Sequence, residues 1–137
     1  MLKKKTLALN IPSSFIQIEG TKSPDEISKI LQESDLYVSF SNYETFGLVM
    51  IESISSGTPV ISTNTGILSE LKLSECTIFV PKKDEEALCN AILEQMENTM
   101  TFDQKKIHNF VKKNFSPEVI SKSYSELYKK AILNYHS

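Results

Sequence analysis

The sequence feature that most constrains the fold is a strand, a loop and an apolar helix that follow one another before a second strand. Residues 36–40 (LYVSF) and residues 59–62 (PVIS) are short apolar runs typical of buried strands. The helix between them is predicted to begin near Thr45 or Phe46 and to end at Gly57. Apolar residues are distributed around this helix and leave no wide polar face: Leu48, Val49, Met50, Ile51 and Ile54. We therefore expect a helix that the protein encloses.

Two further apolar runs extend the alternation of strand and helix. Residues 15–18 (FIQI), closed by Gly20, predict a strand before this segment, and residues 77–80 (TIFV), stopped by Pro81, predict one after it. Short strands separated by helical patterns indicate a parallel sheet with helices on its faces. The predicted fold class is α/β, with a Rossmann-like parallel sheet flanked by helices.

The predicted helices carry recognisable start signals. Ser23 is the expected N-cap of one helix, with Pro24 at its first position and acidic residues in its first turn. The apolar residues of this helix that are expected to face the sheet are Ile27, Ile30 and Leu31. Asp84 is the expected cap of a later helix, whose apolar face consists of Ala87, Leu88, Ala91, Ile92 and Met96.

Two more helices are predicted, around residues 102–114 and 117–134. No internal repeat or low-complexity linker divides the chain. We therefore predict a single domain over residues 1–137, with a helical C-terminal section over residues 100–137.

Composition limits the function classes. The chain has 137 residues, of which 40% are hydrophobic and 23% charged, and its net charge is −2. This is enough for one ordinary globular core but not for a broad basic surface, so no nucleic-acid partner is expected. Lys3, Lys4 and Lys5 are predicted to be a solvated start. Because no apolar run suits a signal peptide or a membrane span, we expect a cytoplasmic protein; peripheral contact with the inner face of the membrane stays open.

The cysteines and histidines give no sign of a metal site. Cys76 and Cys89 do not form a CxxC motif, and no histidine stands at ligand spacing from them. His108 lies among lysines and is expected at the surface, and His136 lies in the tail. Two unpaired thiols suit a reducing compartment. We expect neither a metal nor another cofactor.

Glu44 and Glu52 are the candidate functional side chains. Glu44 lies at the carboxyl end of a predicted strand, where open α/β sheets bind ligands. Glu52 lies on the apolar helix, where a carboxylate needs hydrogen-bond partners, and its two acceptor oxygens suit a vicinal diol such as a ribose. Two structural alternatives stay open: Glu44 could serve only the helix dipole, and Glu52 could emerge at an edge or cap a backbone group.

The start of the same helix offers backbone donors. Free N–H groups at Phe46, Gly47 and Leu48 would form an anion site, and Gly47 would let a phosphate or a sugar approach the backbone closely. The ring of Phe46 is expected to pack within the protein, so that only its backbone belongs to the site.

These segments together resemble a known family. Glu44 and Glu52, with seven residues between them, resemble the E-x7-E motif of retaining glycosyltransferases of the GT-B fold, family 4 (glycosyl transferases group 1). Residues 34–38 (SDLYV) resemble the A-D-x-x-V strand of that family, residues 43–48 (YETFGL) its Y-E-x-F-G-L, and residues 56–61 (SGTPVI) its x-G-x-P-V-V. The likeness runs from residue 15 to residue 96, with the blocks in the family's order, and is weaker beyond.

The resemblance implies the C-terminal, donor-binding half of a GT-B hexosyltransferase. Such an enzyme transfers a sugar from a UDP- or GDP-sugar to a glycan or lipid-linked acceptor, here in surface polysaccharide or lipopolysaccharide synthesis. Glu44 would be catalytic and hold hydroxyls of the donor sugar, whereas Glu52 would bind the ribose. The implied substrate-binding residues are Glu44, Thr45, Phe46, Gly47, Leu48 and Glu52.

The sequence also departs from the family pattern. The family usually has two glycines after its third strand, whereas this chain has only Gly66, with Glu70 where the family often has Glu. The family's Arg and Lys, which neutralise the diphosphate, lie upstream of the matching part, and the lysines at residues 3–5 lack their flanking pattern. The acceptor-binding N-terminal domain is also absent, so we expect the chain alone to be inactive.

Two other functions are alternatives to this one. A nucleotide-sugar epimerase can share the fold, but the E-x7-E arrangement argues against it. A non-catalytic nucleotide-sugar sensor or interaction module belongs to a different class. An open reading frame that begins at Met1 would favour the module, and one that extends upstream would favour an excised domain.

Overall fold

The computed structural model describes residues 8–12, 14–71 and 73–135. Within them, three parallel strands form one sheet in the order β1, β2, β3. The strands are β1 (Tyr37–Ser39), β2 (Val60–Thr63) and β3 (Thr77–Val80). The helices are α1 (Pro24–Gln32), α2 (Leu48–Ser55), α3 (Ile67–Leu71), α4 (Glu85–Glu97), α5 (Gln104–Phe115) and α6 (Pro117–Tyr135). Lys3, Lys4, Lys5 and His136, for which the sequence predicts surface positions, lie outside the described residues.

The central strand β2 organises the core, since all four of its residues are buried. Val60 and Ile61 are neighbours on this strand and therefore point to opposite faces of the sheet. Val60 belongs to a cluster that includes residues of α2, α3 and α5, whereas Ile61 belongs to a cluster with Ala91 of α4. Both faces of the sheet are thus covered by helices, which explains why β2 shows no alternation of buried and exposed residues.

Local capping fixes the helix starts as the sequence predicts. Ser23 forms a reciprocal capping box with Glu26, and the Glu26 carboxylate accepts a hydrogen bond of 2.8 Å from the Ser23 backbone N–H. The Asp84 carboxylate accepts a 2.9 Å bond from the backbone N–H of Ala87 at the start of α4. The predicted C-terminal helices are confirmed as α5 and α6, and most residues of α6 are exposed.

One predicted strand is wrong. Residues 15–18 are not a strand in the structure, and the side chain of Phe15 is 80% exposed. Among the described residues, no strand pairs with this run. The sheet there consists of β1, β2 and β3, with β1 at one edge. Phe15 lies instead in a turn, where its backbone N–H donates a 3.0 Å hydrogen bond to the carbonyl of Pro12. Without a ladder partner, apolar composition alone does not make this run a strand.

Some helix residues that were predicted to face the core are exposed in the structure. Leu31 of α1 is buried, whereas Ile30 is exposed, and the helix packs mainly against α2 instead of the sheet that this face was expected to meet. Met96 is exposed near the end of α4, beyond the part that covers the sheet. Helix α2 begins at Leu48, later than predicted, and Leu48 is itself exposed, so α2 is not enclosed on all sides.

Candidate functional site

The loops after β1 and β2 meet at the carboxyl edge of the sheet, where parallel strands end side by side. The hydroxyl of Thr63, the last residue of β2, donates to the backbone carbonyl of Ser41. The backbone N–H of Ile67 donates a 2.8 Å hydrogen bond to the carbonyl of Phe46. These two bonds join the loops, and so the segment from Ser41 to Gly47 has a defined position over the sheet.

Glu44 is half-buried within this loop, and a neighbour orients it. The Ser41 hydroxyl donates a 2.9 Å hydrogen bond to Oε1 of Glu44. Because the Ser41 backbone is itself bonded to β2, the carboxylate is tied to the sheet through one intermediate residue. A carboxylate held in this way can accept further hydrogen bonds from a ligand at little conformational cost.

The N-terminus of α2 presents backbone donors next to Glu44. Gly47 is its N-cap with φ 82° and ψ 51°, and among the described residues no side chain caps this end. The first N–H groups of a helix have no intrahelical acceptor, so those at the start of α2 are available to a ligand. A Cβ at position 47 would lie 2.0 Å from Cε of Met50 and would sit on a left-handed backbone. The Met50 side chain could move aside, but the positive φ favours glycine at this turn.

Glu52 lies one turn further along α2 and is partly buried. It borders a cavity of about 370 Å³ between α1, α2 and α5. The other residues that line this cavity are Pro24, Ser28, Leu48, Ile51, Ser55, Ser56, Val111 and Phe115. Apolar walls with one carboxylate and several hydroxyls suit a ligand that has both a flat apolar part and hydroxyl groups.

Tyr37 connects the two glutamates electrostatically. Burial raises the pKa of the Tyr37 phenol, and the negative charges of Glu44 and, to a smaller extent, Glu52 raise it further. Both carboxylates therefore lie within electrostatic reach of one phenol at the start of β1. The side chain of Ser39 acts in the opposite direction by hydrogen bonding.

Gly66 brings the second loop against the first. It has φ 65°, and a Cβ there would lie 2.7 Å from the carbonyl oxygen of Phe46 and 3.2 Å from Cβ of Glu44. No larger residue fits without displacing the backbone of the Glu44 loop. The single glycine of this loop therefore has a packing reason that the sequence alone does not reveal.

The structure brings the predicted site residues into one region. The loop that carries Glu44, Thr45, Phe46 and Gly47 leads directly into α2, which carries Leu48 and Glu52. The ring of Phe46 packs edge-on against Phe115, with 6.0 Å between ring centroids. The ring thus has a packing partner, as predicted, but Phe46 is 40% exposed and does not pack fully within the protein.

Sequence reasoning missed several neighbours of the site. Ser41 stands three residues before Glu44, a spacing at which a hydroxyl can reach a carboxylate, so this contact had a local signal. Tyr37 had a weaker signal as the one hydroxyl-bearing aromatic residue of its strand. Phe115 had none, because it is distant in sequence and only the fold brings it to Phe46.

The described residues hold no group of three or more histidine, cysteine, aspartate or glutamate side chains placed to bind a metal ion. Both cysteines are free thiols; Cys76 is buried and Cys89 exposed. Within the part of the chain that the structure describes, no helix is long and apolar enough to cross a membrane.

A parallel α/β domain with a polar loop and an uncapped helix at its carboxyl edge is a ligand-binding architecture, and comparisons with known proteins identify its family. The sequence profile of the glycosyl transferases group 1 matches residues 1–116. This match covers most of the chain, which therefore belongs to the glycosyl transferases group 1 family.

Individual relatives agree with the family. The chain is 32% identical over 122 residues to the alpha-monoglucosyldiacylglycerol synthase of Streptococcus pneumoniae, a match that covers 86% of this chain and 27% of that protein. It is 29% identical over 104 residues to the O-antigen biosynthesis glycosyltransferase WclY of Escherichia coli, covering 76% of this chain and 29% of that protein. Its homologues thus include proteins named for glycolipid and for O-antigen synthesis.

A solved structure agrees with the architecture. The chain superposes on sucrose-phosphate synthase from Thermosynechococcus elongatus with a TM-score of 0.84 and 26% identity, over 97% of this chain and 34% of that one. The three-stranded parallel sheet with its flanking and C-terminal helices matches a Rossmann-like domain of the GT-B fold, and the predicted fold class is confirmed. The chain spans about a third or less of the length of these relatives.

Proposed function

We propose that this chain is the donor-binding domain of a retaining glycosyltransferase of family 4. The donor is a UDP- or GDP-hexose, and the acceptor is a glycan or a lipid-linked sugar in surface polysaccharide, lipopolysaccharide or glycolipid synthesis. The family supports the reaction class. The names of the Streptococcus pneumoniae and Escherichia coli relatives support the class of product.

One observation carries the proposal. Glu44 stands before the uncapped N-terminus of α2, at the carboxyl edge of the sheet, and Glu52 stands one turn after it on the same helix, beside a cavity. The arrangement offers hydrogen-bond acceptors on two sides of a set of backbone donors. A nucleotide-sugar has the complementary order of groups, since its anionic diphosphate stands between two hydroxyl-bearing sugars.

Each group has a distinct role in this proposal. Glu44 accepts hydrogen bonds from hydroxyls of the donor hexose and faces the positive charge that develops on that sugar as its bond to the diphosphate breaks. The N–H groups of Phe46, Gly47 and Leu48 bind the diphosphate, and the exposed side chains of Thr45 and Leu48 border it. Glu52 accepts hydrogen bonds from the ribose.

The cavity beside Glu52 is the proposed nucleoside site. Its volume of about 370 Å³ suits a group of that size, and Pro24 and Ser28 place its far wall just after the loop that follows Gly20. The base would lie against apolar side chains while the ribose hydroxyls reach the carboxylate. This position lets Glu52 distinguish ribose from a sugar without vicinal hydroxyls.

A thermal-shift panel tests the proposal directly. The chain is heated with UDP, GDP or ADP, or with a UDP- or GDP-hexose, each at about 20 mM. For a dissociation constant on the order of 1 mM, such a ligand stabilises the folded state by about 1.8 kcal/mol, enough to raise Tm by several degrees. One base should stabilise more than the others, and its hexose conjugate more than the free diphosphate. No stabilisation by any nucleotide would contradict the proposal.

A further inference from the structure

The ring contact between Phe46 and Phe115 links the C-terminal helices to the proposed donor loop. The two rings meet edge-on, with 6.0 Å between centroids and 80° between ring planes. Phe46 precedes the N-cap of α2, and Phe115 is the last residue of α5. Phe46 is 40% exposed, and the Phe115 ring is a packed neighbour on its covered side.

The backbone of Phe46 is restrained from another direction. Its carbonyl accepts a 2.8 Å bond from the Ile67 N–H and lies against Gly66. The Phe46 carbonyl and the Gly47 N–H belong to one planar trans peptide, in which they point in opposite directions. The bond from Ile67 therefore also sets the direction of the Gly47 N–H, which points away from the Gly66 loop.

The same phenylalanine of α5 reaches the second part of the site. Phe115 lines the cavity that Glu52 borders, in addition to contacting Phe46. Its own position is well determined, because α5 packs on α2 and Phe115 packs against the main core cluster. One side chain thus contacts the Glu44 loop through Phe46 and also lines the Glu52 cavity.

We propose that Phe115 is a positioning residue for the donor loop, acting through the ring of Phe46. With the Phe115 ring in place, Phe46 cannot turn outwards, the peptide between Phe46 and Gly47 stays bonded to Ile67, and the Gly47 N–H keeps its direction. Without that ring, the peptide samples other orientations and the anion site loses its preorganisation. The effect on the donor rests on the proposed function, whereas the effect on the loop does not.

Amide hydrogen exchange in the ligand-free chain tests the positioning. The Ile67 N–H reports the loop bond, and the Val60 N–H, which donates a 3.0 Å bond to Cys76 between β2 and β3, reports the core. In Phe115→Ala, exchange at Ile67 should accelerate about tenfold more than exchange at Val60. If Phe115→Ala does not fold, the milder Phe115→Leu takes its place. It should show the same faster exchange at Ile67 relative to Val60, to a smaller degree. Phe115→Tyr, which retains the ring, should restore the wild-type ratio.

Phe110→Ala is the matched control. Phe110 lies on the same helix and packs against the same core cluster, but it has no ring contact with Phe46. Its loss should accelerate exchange at Ile67 and Val60 together. An unchanged ratio in both Phe115→Ala and Phe115→Leu would overturn the positioning role.

Titration with UDP, GDP and inorganic diphosphate separates this inference from the proposed function, because inorganic diphosphate can meet the loop amides without a nucleoside in the cavity that Phe115 lines. Phe115→Leu should weaken binding of the preferred diphosphate about threefold to tenfold, which is the factor that the energy of one aromatic pair corresponds to. Phe115→Tyr should bind the diphosphate as tightly as the wild type. A changed exchange ratio with unchanged diphosphate affinity would confirm the positioning of the loop and overturn the assignment of its amides to the diphosphate.

Discussion

The hydroxyl of Ser41 donates a 2.9 Å hydrogen bond to Oε1 of Glu44, while the carbonyl of the same serine accepts a bond from Thr63. The residue that orients the proposed catalytic carboxylate is therefore itself bonded to the central strand. The sheet thereby holds the Glu44 carboxylate in place, although Glu44 lies in a loop. A side chain that binds a sugar hydroxyl needs such a fixed position.

Removing the Ser41 hydroxyl should affect the donor sugar selectively. In Ser41→Ala, the preference for a nucleotide-hexose over its diphosphate should fall about threefold to tenfold, because Glu44 loses an interaction worth about 0.5–1.5 kcal/mol. NMR titration with both ligands measures this preference. Ser123→Ala removes a 3.0 Å hydroxyl bond on exposed α6 and should leave the preference unchanged. An equal loss for both ligands in Ser41→Ala would point to a general structural effect.

Glu44 itself should matter more for the sugar than for the nucleotide. Glu44→Ala is expected to keep diphosphate affinity within a few-fold and to abolish the extra affinity for the correct nucleotide-sugar. Calorimetric or NMR titration with both ligands provides the measurement. Glu94→Ala, an exposed position on α4, is the control. If the preference survives in Glu44→Ala, the residue serves only the helix dipole.

The two thiols should differ sharply in reactivity. Burial raises the pKa of Cys76 to about 11, whereas Cys89 is exposed. Ellman's reagent at neutral pH should therefore modify one thiol of the native chain quickly, and Cys89→Ser should remove that phase. The second thiol should react only as the chain unfolds. Rapid modification of two thiols in the native wild type would contradict the buried position of Cys76.

The Cys76 thiol should lower the stability of the folded chain at alkaline pH. The folded pKa of Cys76 lies above its ordinary value of 9.0, so between pH 9 and about 11 the unfolded chain loses this proton while the folded chain keeps it. The Cys76 contribution to the free energy of unfolding is complete below pH 9 and falls as the pH rises towards 11. Urea unfolding at several pH values measures this free energy. In Cys76→Ala, the free energy of unfolding should fall less steeply with pH over this range. Tyr37, whose pKa is also raised, adds to the decline above pH 10 in both proteins.

The predictable parts of the fold are those determined by near neighbours. Ser23 and Glu26 form a capping box within one helical turn, and Asp84 caps α4 three residues before its bonded N–H. The strand at residues 77–80 is found as predicted because its two faces pack against the two core clusters. The run at residues 15–18 has similar composition but no ladder partner among the described residues, and no local pattern could reveal that.

The site divides in the same way. The positions of Glu44 and Gly47 follow from a strand end and a helix start, both of which have sequence signals. The contacts of Phe115 with Phe46 and of Gly66 with the Phe46 carbonyl join segments that are distant in the chain. Tertiary packing alone decides such contacts, so a single sequence could predict the functional groups but not the residues that position them.

Glu52 should select for the ribose. If its carboxylate binds the diol, Glu52→Gln should weaken nucleotide binding by about 1–3 kcal/mol through loss of charge-assisted hydrogen bonds. A 2′,3′-dideoxynucleotide should bind the wild type more weakly than the ribonucleotide but lose little further in Glu52→Gln. Titrations of both proteins with both ligands complete the cycle, and Glu94→Gln is the control. Equal binding of the two nucleotides by the wild type would remove the argument.

Charge predicts that the donor binds weakly to this chain. Glu44 and Glu52 both repel a diphosphate, the chain contains no arginine, and none of the described lysines lines the cavity beside Glu52. The helix N-terminus contributes only about 0.3–1 kcal/mol at an exposed site. We therefore expect a dissociation constant on the order of a millimolar, or about −4 kcal/mol, in NMR titrations with UDP and GDP. Micromolar affinity would require a cationic contact to the diphosphate.

The 137-residue chain by itself should show no transferase turnover, although it folds. Glycosyl transfer needs a donor and an acceptor held in register and screened from water, which in a two-domain fold is the work of a cleft that closes. This chain spans about a third or less of the relatives it matches and provides at most one wall of such a cleft. The assay is release of UDP or GDP from a panel of hexose donors, with glycan and lipid acceptors, beside a full-length family member as the positive control. Acceptor-dependent release by the isolated chain would show that one domain suffices, and the domain that supplies the second wall would then have no catalytic necessity.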